Sequence, residues 1–171
     1  IHIFATTNIG DMRQVEFVPF RLTDVAEIYS IRIEGKENSE IQEFIITFKD
    51  IPDKYLKNDF DGIIRNLIKI SEKGAAESMF RPEGKIRDRV CALPLYTVPR
   101  EKCKHGVLRL YCIRLSENLI IVGGGGEKST RTYEEDKTLH EKVKILQQID
   151  KELSILEDKG IDLNTDLNNI T

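Results

Sequence analysis

The segment LIIVGGGGEKST, residues 119–130, narrows the folds open to this chain more than any other. Four side chains are missing in a row directly after an apolar run, so the backbone there can turn, bulge or be approached closely. A lysine and two hydroxyl residues follow, which raises a phosphate-binding loop first. That loop needs the spacing G-x-x-x-x-G-K-[ST] between a parallel strand and a helix. Here Glu127 stands where the glycine before Lys128 must be, and Val122 where the leading glycine must be. A carboxylate inside a phosphate nest would repel its ligand. The dinucleotide pattern G-x-G-x-x-G fails too, because Lys128 takes the place of its third glycine. The run therefore predicts a β-bulge or a wide strand exit, leaving an open surface beside its neighbours.

Around that run the hydrophobic period changes twice. Residues 12–34 read as extended: VEFVPF is apolar and β-rich, with Pro19 keeping it off a central strand, and Tyr29, Ile31 and Ile33 share one face. Ser39 and Gln42 then have the form of a capping box, and Ile41, Phe44, Ile45 and Phe48 follow at helical spacing. A second helix is predicted from Asp53 to Lys73, stopped by Gly74. The β period returns in RDRVCALPLYTV, and a hairpin through Ser116, Glu117 and Asn118 joins VLRLYCIRL to NLIIVGG. In the first hairpin strand Leu108, Leu110 and Cys112 face one way, and Arg109, Tyr111 and Ile113 the other. An amphipathic helix is predicted over 138–156, opened by a capping box of Thr138 and Glu141. The expected architecture is a small α+β domain. It has an N-terminal strand, two helices, an antiparallel meander of three to four strands and a C-terminal helix. Residues 1–26 form an N-terminal extension or extra strand, 27–158 the domain, and 159–171 a polar, mobile tail.

At 171 residues the chain suits one domain, and 40% apolar residues suffice for a core. No apolar run has the length of a membrane helix, and the opening IHIFATTNIG lacks a basic leader. Ile1 is no natural start, so residues 1–11 read as a fragment end or a mis-set start. Three unpaired cysteines, Cys91, Cys103 and Cys112, point to a reducing, cytoplasmic compartment. Only Cys103 with His105 hints at a metal, and without a second pair no metal or cofactor is expected. The net charge is −3, yet residues 81–114 carry +6 and the remainder −9. Such a band suits an anion or a nucleic acid; ordinary solvated charge is the plain alternative.

The second half, GVLRLYCIRLSENLIIVGGGGEKSTRTYEED, resembles the core of the RelE/HigB-type toxins of bacterial toxin–antitoxin pairs. The likeness rests on an arginine shortly before an aromatic residue on one strand (Arg109, Tyr111), the apolar strand after it, and the segment of Lys128 and Arg131. The resemblance spans roughly residues 27–156. It implies a RelE-like fold and a metal-independent endoribonuclease cutting messenger RNA, in most members on the ribosome, neutralised by an antitoxin. In that chemistry the ribose 2′-hydroxyl attacks the adjacent phosphorus, so the site needs a base, cations and an acid. The resemblance assigns Arg109 to the phosphate, Tyr133 to base or stacking duty, and Lys128 and Arg131 to the catalytic basic segment. Arg81, Lys85, Arg87 and Arg89 would hold flanking RNA, and Tyr111 would stack a base. Glu127, the glycines and the overall acidity depart from the family pattern. Two other classes therefore stay open: a silent RNA- or protein-binding module on the same fold, and a structural protein forming oligomers through its last helix. His105 is a further base candidate.

Overall fold

The computed structural model describes residues 2–7, 10–83, 88–95, 106–128 and 133–170, with side chains from 137 onward in the last stretch. The strands are β1 (Ile3–Thr6), β2 (Met12–Leu22), β3 (Glu27–Ile33), β4 (Arg81–Pro82), β5 (Val90–Leu93), β6 (Val107–Ser116) and β7 (Leu119–Lys128). The helices are α1 (Glu40–Phe48), α2 (Lys54–Lys73), α3 (Tyr133–Asp158) and the short α4 (Leu163–Asp166).

The α+β class stands, but the sheet is larger than a meander. It has seven strands in the order β1-β2-β3-β7-β6-β5-β4. All neighbours are antiparallel except β3 and β7, which run parallel with Ser30 opposite Val122. The meander expectation failed because it followed only short-range pairing. The hairpin β6–β7 formed as predicted, but β7 has a second edge, and β3 fills it from about ninety residues away in sequence. Ser30 pins the junction: its hydroxyl donates to the Val122 carbonyl at 3.0 Å and accepts the Ile41 amide of α1 at 3.1 Å.

Period-2 alternation then sorts side chains onto two helical layers. Ile28, Leu108, Leu110, Cys112, Ile120 and Val122 meet the buried stripe of α1 and α2. Tyr29, Ile31, Tyr111, Ile113 and Ile121 meet Leu139, Val143, Leu146, Ile149 and Leu153 of α3. Each such side chain contributes about 1.5–3 kcal/mol by leaving water. The α3 stripe, which could have met a second copy, is thus used on the sheet.

The helix starts follow their caps. Ser39 and Gln42 form the expected capping box, and the Asp53 carboxylate accepts the Leu56 amide at 2.8 Å. Gly74 ends α2 at φ +96°, a conformation that favours glycine. α3 departs from expectation: it begins at Tyr133, so Thr138 and Glu141 lie inside it and not at its start. The tail expectation fails as well. Leu163, Leu167 and Ile170 are buried in the α3-side core, and Asn168 accepts a 2.9 Å hydrogen bond from the Tyr29 hydroxyl. The polar residues between those three apolar ones hide that burial in the sequence.

Candidate functional site

The glycine run lies inside β7, buried on both faces, and is not an open exit. A register shift between Leu110 and Cys112 marks the bulge it makes. Its purpose is close approach. A Cβ on Gly123 would sit 2.8 Å from Leu146 of α3, and one on Gly125 would collide with the Arg109 carbonyl oxygen. No larger residue fits at Gly125 without moving backbone.

Across from this bulge, β6 turns Arg109 toward the α3 side, with Gly126 as its strand partner. The residue is 3% exposed, and Nε and Nη1 have no hydrogen-bond partner. Burial first, and then the neighbouring Arg81 guanidinium, pulls the Arg109 pKa below its ordinary value, against the opposing pull of Glu83, Tyr111 and Asp59. A charge held in this way is expensive.

Arg81 and Glu83 approach the same side from the sheet edge. Arg81 pairs with Ala92, which pairs with Tyr111, so the three share a face. Arg81 Nε lies 3.3 Å from Glu83 Oε1, an ion-pair distance. The alignment does not make a hydrogen bond, and Glu83 Oε1 stays buried and unbonded. The Arg81 side chain is 48% exposed, so the cluster reaches solvent through it. Sequence reading passed over Glu83. Its signal was a carboxylate two residues after an arginine, with a proline between them, just where a basic stretch begins.

Of the other expected site residues, Lys128 ends β7, is exposed, and pairs with Val107, which makes it a diagonal neighbour of Arg109 on the ladder. Tyr133 is the first residue of α3, five positions later in the chain. Tyr111 is 3% exposed within the α3-side core, so its ring has no open face for a base. Arg89 is occupied: its Nε donates to Asp150 Oδ1 at 2.7 Å, Nη1 to Glu157 at 2.8 Å, and Nη2 to the Ser154 hydroxyl at 3.2 Å. Burial opposes its charge, but Asp150 and Glu157 outweigh that and raise its pKa. Neither Tyr111 nor Arg89 is therefore placed to hold RNA, because α3 covers both. Lys85, Arg87, Arg131, Cys103 and His105 lie outside the described residues.

No group of three potential metal ligands occurs among the described residues. Cys91 and Cys112 are opposite each other on β5 and β6, free and buried. Burial pushes the Cys91 thiol up to about 12, and the Cys112 thiol also upward, which makes both poor nucleophiles. No described helix is long and apolar enough to cross a membrane.

Compared with known proteins, the chain matches no family model, no curated protein and no solved structure. What speaks for a function is therefore the chemistry of this cluster.

Proposed function

We propose that the chain is a RelE/HigB-like toxin domain, a metal-independent endoribonuclease that acts on messenger RNA and is silenced by an antitoxin. The observation that carries this reading is Arg109, a buried guanidinium with two unbonded nitrogens. Buried donors are almost always satisfied, so an exception calls for a ligand or a catalytic duty. A phosphate oxygen pair matches the guanidinium fork.

In the proposed reaction Glu83 takes the proton of the ribose 2′-hydroxyl. The oxygen then attacks the adjacent phosphorus, and the bond to the 5′-oxygen breaks. Arg109 and Arg81 hold the phosphoryl oxygens as negative charge gathers on them. The leaving oxygen takes up a proton, for which Tyr133 is the candidate acid, leaving a 2′,3′-cyclic phosphate and a 5′-hydroxyl. Helices cover both faces of the sheet, so RNA would approach the β4 edge, where Arg81 is half exposed.

The second reading, a module that binds RNA or protein and cuts nothing, draws support from the burial of Arg109 and Tyr111. Expression in bacteria separates the two. Growth arrest by the wild-type chain, lost in Arg109→Ala, together with RNA cleavage in EDTA, is the expected result. Healthy growth, with salt-sensitive RNA retention and intact RNA, would leave only the binding module.

A further inference from the structure

The parallel pair β3 and β7 creates a second feature, remote in role from Arg109. β3 is followed in the chain by α1, packed on one face of the sheet, and β7 by α3, packed on the other. Where neighbouring parallel strands send their chains to opposite faces, a crevice opens beyond their carboxyl ends. Two adjoining clefts occupy that place here, of about 660 and 230 Å³, and both are lined by Lys36, Glu40 and Lys142.

Those three residues form a bridge. Lys36 Nζ is 3.2 Å from Glu40 Oε1, and Lys142 Nζ is 3.9 Å from Glu40 Oε2. The Glu40 side chain is only 9% exposed. The bridge depends on Gly124: a Cβ there would lie 2.6 Å from Glu40 Oε2 and 2.9 Å from Lys142 Nζ. One carboxylate faces two ammonium groups, so one positive charge remains uncompensated within it.

The smaller cleft adds Arg13, the hydroxyl residue Thr7, and the apolar Ile33 and Ile145. Arg13 Nη1 donates to the Glu34 carbonyl at 3.2 Å, and Nη2 lies 3.9 Å from Asp11, which is not part of the lining. Three cations therefore line this cleft against one carboxylate. They come from three separate elements: β2, the β3–α1 connection and α3. A volume of 230 Å³ admits a small ligand and no polymer.

We propose that this cleft binds a small phosphate monoester, its phosphate held by Arg13, Lys36 and Lys142. A group with three terminal oxygens suits cations arriving from three directions, and lysine and arginine both serve as phosphate donors. The site is independent of the nuclease reading.

An NMR titration of the full chain with inorganic phosphate, run beside succinate, tests it. Saturable shifts are expected at the amides of Thr7, Arg13, Lys36 and Glu40, with phosphate binding tighter than succinate. Arg13→Gln combined with Lys36→Gln should weaken binding at least tenfold. Both changes are at the surface and leave Lys142 to Glu40, so the fold should survive. Lys69→Gln, an exposed change on α2, should bind as the wild type does. Shifts that fail to saturate, that persist unchanged in the double variant, or that favour succinate would overturn the proposal.

Discussion

Two arginines on the same side of the sheet were both expected to meet RNA, Arg109 at the reacting phosphate and Arg89 on the flanking backbone, and the fold treats them oppositely. Arg89 enters beside β5 and finds Asp150, Ser154 and Glu157 on α3, so its guanidinium is held by three residues of one helix. Arg109 is buried more deeply, yet Nε and Nη1 find no partner. The first ties α3 to the sheet. The second costs stability, and the difference teaches that burial alone does not tie a cation into the fold; what matters is whether a carboxylate is carried to it.

Four measurements break or sharpen that contrast. The largest effect belongs to the unsatisfied group. Arg109→Met, of similar length, should lower RNA cleavage by about 10²–10³-fold, the scale of losing one preorganised donor. The same variant should raise stability in urea by about 1–3 kcal/mol, because an unpaired buried charge gives way to an apolar chain. A stability loss would mean that Arg109 is structural after all. Glu83→Gln comes next, with cleavage expected to fall by about 10²-fold and little change in unfolding midpoint. Unchanged cleavage would remove Glu83 from the base role.

Arg89→Met should do the reverse of Arg109→Met. It leaves Asp150, 5% exposed, without its cation and should cost about 2–3 kcal/mol, while the folded fraction keeps its activity. Equal loss of specific activity would erase the distinction between the two arginines. The smallest effect concerns the far side of β5. The Cys91 thiol, raised from 9.0 to about 12, holds its proton more tightly when folded than when unfolded. It therefore contributes full stability below pH 9, and loses that contribution as pH rises toward 12. Cys91→Ala should flatten the alkaline limb of a stability curve relative to the wild type; identical limbs would show that the thiol does not titrate there.

Much of this was legible in one dimension. The capping box of Ser39 and Gln42, the stop at Gly74, and the two faces of β6 all arise from interactions within a few residues, so pattern alone finds them. The layer arrangement was harder. Nothing in EIYSIRI says that β7 will lie beside it in parallel, because that pairing closes a long loop, whereas residues 3–22 join the same sheet through two short hairpins. The site was legible in half. Arg109 stood out by its resemblance, but alternation could not say whether its charge would be met, and Glu83 looked like ordinary surface.

The amino-acid order by itself determined the periods, the caps and the hairpin, since these depend on neighbours a few bonds away. Only the packed fold decided which arginine is neutralised, because that depends on which carboxylates α3 carries past each strand. It likewise decided that four glycines serve as clearance beneath α1 and α3, since the room they leave has meaning only once those helices arrive.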